Sequence, residues 1–133
     1  MTNQEMKRKV MSLGNRLAVR MNRKDAFVQA WAIVRSSGFE LPLKGVTFGS
    51  RQEALRRLAK YNAADVRAFI VPETSNVADN KAAAVFVGVQ NGKGLFCMGY
   101  LPREYAPAAV SLKATGLRVI GDEVRGARLR LAV

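Results

Sequence analysis

The chain has 133 residues, about the size of one globular domain, and 49% of them are hydrophobic, which excludes a disordered chain. It carries 22 Lys and Arg residues against 10 Asp and Glu residues and no histidine, a formal net charge of +12. An excess of this size indicates a polyanionic partner and says nothing about the fold. A solubilising positive surface is the alternative explanation.

The residue inventory also excludes several classes of function. No apolar run reaches 18 residues, and the basic N-terminus lacks the apolar segment of a signal peptide, so we expect no membrane span. The single cysteine, Cys97, fits a reducing compartment, so a cytoplasmic location is expected. Without histidine there is no Ser-His or Cys-His pair and no histidine metal site. We therefore predict a protein that is not an enzyme and has no catalytic residue, metal or cofactor.

Residues 1–38 are predicted to form a helical hairpin as a separate N-terminal unit. The first helix has apolar residues at helical spacing, namely Met6, Val10, Leu13 and Leu17. The basic side chains around its border are Lys7, Arg8, Lys9, Arg16 and Arg20. Asn22 is expected to N-cap the second helix, with Asp25 in the first turn, and Gly38 to end it.

Residues 39–133 are predicted to consist mainly of strands. Alternation and apolar runs place them at 45–48, 65–71, 83–89, 95–100, 117–120 and 127–133. Ser50 and Glu53 have the spacing of a capping box for a helix at 51–60, and a second helix is predicted at 103–114. Short strands with one or two small helices favour an α+β fold in which residues 39–133 form a small twisted β-barrel.

One enzymatic pattern stays open as an alternative. Asp79-Asn80-Lys81 has the D-x-K form of many metal-dependent nucleases, in which a second, upstream carboxylate shares the metal. Asp65 and Glu73 are the candidates for that carboxylate. Such a set of groups would hold Mg²⁺ and activate water.

Two motifs in the second half carry a family resemblance. The first is Glu73-x-x-Asn76-x-x-Asp79-x-x-Ala82, followed by an apolar strand; the second is Gly99-Tyr100-Leu101-Pro102-Arg103-Glu104-Tyr105-Ala106. In this order they resemble the HIRAN domain pattern E-P-x-N-x-Y-D-x-N-A, a strand, a hairpin and G-Y-I-P-x-E-x-A. The segments 45–48 and 51–53 look like the start of bacterial stand-alone members. The resemblance covers about residues 44–131, and the helical hairpin lies outside it.

The resemblance implies a compact barrel of the OB or SH3-like kind that binds the 3′-hydroxyl end of single-stranded DNA. By motif, Asp79 would accept a hydrogen bond from the terminal hydroxyl, and Asn76 would shape the loop. Tyr100 would face the end nucleotide, and Arg103 would contact a phosphate. The aromatic residue that precedes the aspartate in the family pattern is Ala78 here, and Phe48 and Tyr105 are the candidates to replace it.

A basic groove would supply most of the affinity, because phosphate contacts dominate such binding. The residues expected to line it are Phe48, Arg51, Arg56, Arg57, Lys60, Arg128 and Arg130. DNA is the favoured partner, while RNA would differ only by contacts to the 2′-hydroxyl. The remaining alternative is a phage or mobile-element protein that docks on a nucleoprotein enzyme through its basic face.

Overall fold

Three α-helices and six β-strands make up the part of the chain that the computed structural model describes, residues 1–36, 38–73, 82–92 and 94–133. They are α1 (Asn3–Leu17), α2 (Arg23–Arg35), β1 (Phe39–Pro42), α3 (Arg51–Leu58), β2 (Val66–Glu73), β3 (Ala82–Val89), β4 (Phe96–Tyr100), β5 (Lys113–Ile120) and β6 (Gly126–Ala132). Two 3-10 helices, Ala63–Asp65 and Ala106–Ser111, precede β2 and β5. This content confirms the α+β class. Among the described residues, no helix combines the length and apolarity needed to cross a bilayer.

The helical hairpin forms as predicted, and its second helix begins with the expected cap. The Asp25 backbone N–H donates to Asn22 Oδ1 at 2.8 Å. The two helices approach closely at Gly14, where an added Cβ would lie 2.6 Å from the Phe27 ring. The predicted stop at Gly38 is wrong: α2 ends at Arg35, because Ser36 already has extended backbone angles.

The buried residues of the hairpin belong to the same hydrophobic cluster as those of the strands. From α1 the cluster takes Val10, Leu13 and Leu17, and from α2 it takes Ala26, Ala30, Ile33 and Val34. α1 packs on the 3-10 helix Ala106–Ser111, and α2 contacts β6. The hairpin is therefore held to the sheets by apolar contacts.

The strands form two antiparallel three-stranded sheets, with the orders β1-β6-β5 and β2-β3-β4. Lys44, which follows β1, links them by a bridge to Tyr100, with backbone N···O distances of 2.8 and 2.9 Å. β2 and β5 lie side by side, yet no ladder joins them within the described residues. A closed barrel is therefore not confirmed, since neither sheet closes on itself.

Side-chain alternation gives the β2-β3-β4 sheet a core face and an outer face. Val66, Val85 and Met98 lie on the core face and are buried. Phe69 lies on the outer face, is 45% exposed, and is paired with Phe86 on β3. This outer face therefore presents the Phe69 ring to solvent, while Phe86 beside it is partly buried.

The predicted strand at 45–48 is wrong. Gly45 has a φ of +75°, and the Phe48 N–H donates to the Gly45 carbonyl, so this segment is a turn. The strand lies upstream instead, as β1, and pairs with β6. The turn projects the Phe48 ring into solvent, where 75% of the residue is exposed.

Two helix predictions also need correction. The helix after Ser50 forms, but the Ser50 side chain makes no capping bond, since its ψ of 13° is not the extended angle that an N-cap needs. The helix predicted at 103–114 is only the 3-10 helix Ala106–Ser111. Leu112 is already extended, and Lys113 begins β5.

Candidate nucleic-acid interface

Arg51, at the start of α3, is held in place by backbone carbonyls. Its Nη1 donates to the Gly45 carbonyl at 2.8 Å, and its Nε donates to the Cys97 carbonyl at 3.2 Å. Carbonyl oxygens do not neutralise a guanidinium, and no described carboxylate forms an ion pair with Arg51. The result is an immobilised positive charge that has no ion pair within the described part of the chain.

Two aromatic rings flank this charge. The Arg51 guanidinium carbon lies 5.7 Å from the Phe48 ring centroid and 5.8 Å from the Tyr100 ring centroid. Both distances fall within the range of cation–π attraction. Sites that bind single strands combine aromatic rings, on which bases stack, with cations that contact the phosphates. Phe48, Tyr100 and Arg51 supply both kinds of group.

The aromatic surface continues across all three strands of the β2-β3-β4 sheet. Phe69 is paired with Phe86, and Phe86 is paired with Cys97 on β4. Tyr100 is paired with Ala84, two residues before Phe86 on β3, and the β3–β4 register shifts between Val85 and Phe86. We call Phe48, Arg51, Phe69, Phe86 and Tyr100 together the aromatic face.

A basic cleft adjoins the aromatic face at Tyr100. Its volume is about 310 Å³, and its lining residues are Lys44, Ala82, Ala83, Tyr100, Leu101, Arg103 and Ala106. Neither Lys44 nor Arg103 forms an ion pair with a described carboxylate. The structure thus places Tyr100 and Arg103, both members of the second motif, around one cleft, and adds Lys44, which the sequence did not indicate.

Glu73 is an acidic residue at the border of this site. Hydrogen bonding to Glu73 is the main cause that raises the pKa of the Tyr100 hydroxyl above its ordinary value, and burial adds to it. The Tyr100 hydroxyl is therefore directed at the Glu73 carboxylate at the edge of the basic cleft.

Two of the predicted site residues, Asn76 and Asp79, lie outside the described residues. The described chain stops at Glu73 and resumes at Ala82, which lines the basic cleft. Of the two rings suggested in place of the missing aromatic, Tyr105 is partly buried and its hydroxyl donates to Gln29 Oε1 at 3.1 Å. Phe48 is the ring that is free to stack.

The basic residues of α3 divide between two sides of the helix. Arg51 points toward β4, while Arg56, Arg57 and Lys60 are exposed on the opposite side. Arg57 forms an ion pair with Glu53 at 3.0 Å. The structure does not bring these three residues to the aromatic face.

Arg128 and Arg130 lie on the outer face of the other sheet. Arg128 and Arg118 both contact the Glu40 carboxylate, at 3.4 and 2.8 Å. Arg130 is exposed beside the same cluster. The single groove expected from the sequence is therefore divided over two sheets.

The Glu40 cluster leads to a prediction of pH dependence. The hydrogen bond from Arg118 holds the pKa of Glu40 below its ordinary value, with a further contribution from Arg128. A carboxylate whose pKa is lowered on folding contributes its full stabilisation at pH values above its pKa in the unfolded chain, here about 4.5. This stabilisation is lost as the pH falls through the pKa of the folded state. Glu40→Gln should therefore be less stable than wild type at pH 7. Denaturant unfolding should show this deficit shrinking below about pH 4, whereas a deficit independent of pH would contradict it.

The nuclease alternative rests on residues that are only partly described. Asp79 and Lys81 lie outside the described chain. Asp65 and Glu73 lie at opposite ends of β2, roughly 26 Å apart by strand rise, so they belong to different regions. Within the described ranges no group of three His, Cys, Asp or Glu residues is placed to hold a metal ion.

Sequence reasoning missed Phe69, Phe86 and Lys44. A signal existed for Phe69, because alternation in the predicted strand puts it on the same side as Arg67, away from the core. No comparable signal existed for Phe86, which lies within an apolar run, or for Lys44, which reaches the site only through its bridge to Tyr100.

Comparison with protein-family models, curated proteins and solved structures yields no match to this chain. The HIRAN resemblance therefore stays a prediction that depends on the two motifs.

Proposed function

We propose that this protein is a non-enzymatic module that binds nucleic acid, with single-stranded DNA or a DNA 3′ end as the preferred ligand. The bases would stack on the aromatic face, and the phosphates would contact Arg51, Lys44 and Arg103. The one observation that carries the proposal is the fixed Arg51 guanidinium, without an ion pair to any described carboxylate, between the exposed Phe48 ring and Tyr100.

The chemistry of this surface favours single strands over duplexes. Stacking on aromatic side chains needs bases that are free of a partner strand, and it tolerates any sequence because every base has a flat apolar face. Three neighbouring cations without described acidic partners match the phosphates that accompany those bases. The net charge of +12 would speed the encounter with a polyanion.

The finer fold assignment is part of the same proposal. We interpret the two sheets, the Lys44–Tyr100 bridge and the adjacency of β2 and β5 as a partly open barrel of HIRAN type. On that basis Asp79 would accept a hydrogen bond from a 3′-hydroxyl, and Asn76 would shape the loop. A carboxylate suits a free hydroxyl and repels a phosphate, so it would distinguish a strand end from a continuous strand.

The test is a binding panel measured by fluorescence anisotropy at two ionic strengths. Single-stranded DNA should bind more tightly than a blunt duplex. Affinity should fall steeply between about 50 and 200 mM salt, because counterions are released when phosphates are neutralised. Absence of binding to any strand at low salt would overturn the proposal.

Recognition of ends is tested separately with one oligonucleotide that carries either a 3′-hydroxyl or a 3′-phosphate. The hydroxyl form should bind more tightly, and Asp79→Asn should reduce the difference. Equal affinity for both forms would contradict recognition of the 3′-hydroxyl, while general binding of single strands would still stand. Matching RNA strands show whether a 2′-hydroxyl is tolerated.

A further inference from the structure

Helix α1 carries a line of basic side chains that the aromatic face does not include. Lys9 and Arg16 are seven residues apart, so they lie within about 20° of each other around the helix. The Arg20 and Met21 N–H groups donate to the Leu17 carbonyl, so the helical turn continues past α1 and brings Arg20 onto the same side. We call Lys9, Arg16 and Arg20 the basic row.

The basic row leads to the basic cleft. Arg20 Nη1 donates to the Arg103 carbonyl at 3.0 Å, so the end of the row lies beside a residue that lines the cleft. α1 also packs on the 3-10 helix Ala106–Ser111, which follows Arg103 in the chain. These contacts fix the direction of α1 relative to the cleft.

The basic row lies along one border of the apolar side of α1, which consists of Val10, Leu13 and Leu17. The opposite border of that apolar side faces α2. Gly14 marks that second border through its close approach to Phe27. Lys7 lies on the Gly14 side, two turns earlier, and Arg8 lies on the outward side of the helix. The basic row is thus distinct from the other cations of the same helix.

We propose that a bound single strand continues from the basic cleft along the basic row, so that the helical hairpin forms part of the binding surface. The row spans about 16 Å from Lys9 to Arg20 at 1.5 Å per residue. That length corresponds to about five phosphates at the spacing of a stacked strand. This inference rests on the proposed function, since it extends the path of the same ligand.

The test uses oligo-dT of increasing length, from about 4 to about 16 nucleotides. Wild-type affinity should rise throughout the series. For Lys9→Gln/Arg16→Gln the affinity should stop increasing at a strand about five nucleotides shorter, because the additional phosphates no longer contact a positive charge on α1. With the longest strand, the slope of log affinity against log salt should fall by about 1.4, the value for two lost contacts to a single strand.

The matched control is Lys7→Gln/Arg8→Gln, which removes the same charge from the same helix away from the row. It should follow the wild-type length series. If both double variants behave alike, the path along α1 is wrong, whether both match wild type or both lose affinity equally. If wild-type protein binds no strand at all, the proposed function itself fails, and the two failures are thereby distinguished.

Discussion

Phe48→Ala is expected to weaken the binding of single-stranded DNA by about 1–3 kcal/mol, the usual contribution of one base stacked on an aromatic ring. This corresponds to an increase of about 5–150-fold in Kd. Phe48 is 75% exposed and lies 5.7 Å from the Arg51 guanidinium, so its ring is available to a base beside a fixed positive charge. Anisotropy titration with one labelled strand at constant salt measures the change.

The control for this variant is Tyr61→Ala. Tyr61 is also an exposed aromatic residue, at 52%, but it lies in a different cleft, between α3 and the β3–β4 hairpin. Its removal should leave affinity nearly unchanged. Equal losses in the two variants would show that general surface aromaticity, rather than the aromatic face, determines binding. Thermal unfolding of both variants should stay close to wild type, because neither ring is buried.

The largest effect on stability is expected from Leu17→Ala. Leu17 is 0% exposed and belongs to the cluster that joins the helical hairpin to the sheets. Removing a buried leucine side chain costs about 2–5 kcal/mol, since apolar burial is lost and a cavity remains. Denaturant unfolding followed by circular dichroism should show a lower midpoint in one transition, because hairpin and sheets share the cluster.

Val19→Ala, two residues further along the chain, serves as the comparison. Val19 is 54% exposed, so its truncation should change the free energy of unfolding by less than about 0.5 kcal/mol. The prediction would be contradicted if Leu17→Ala left the midpoint unchanged. A separate early transition confined to helical signal would instead support residues 1–38 as an independent unit.

Local patterns predicted most of the secondary structure. Helical spacing of apolar residues gave α1, and the Asn22 cap gave the start of α2, since both depend on neighbours three or four residues away. The errors arose where a local signal competes with tertiary contacts. The 45–48 segment looked like a strand, but its backbone turns at Gly45 and Arg51 bonds to the Gly45 carbonyl.

The candidate site was predicted less completely than the helices and strands. Tyr100 and Arg103 lie close in sequence, and a motif that spans them indicated both. Arg51 was named only as a member of a basic groove, and Phe48 also as a candidate stacking ring. The position of Arg51 beside Tyr100 depends on α3 packing against β4. Arg128 and Arg130 were assigned to the same groove because charge alone does not reveal which sheet a strand joins.

By itself, the sequence determined the composition, the strong positive charge and the helices in which apolar residues recur every three or four positions. Those properties follow from residue type and from contacts within a few positions, which any window of the chain contains. Tertiary structure alone decided that Arg51 stands beside the Tyr100 ring and that Arg128 contacts the Glu40 carboxylate. The reason is that strand pairing brings together residues far apart in the chain, and pairing depends on the packing of the whole core.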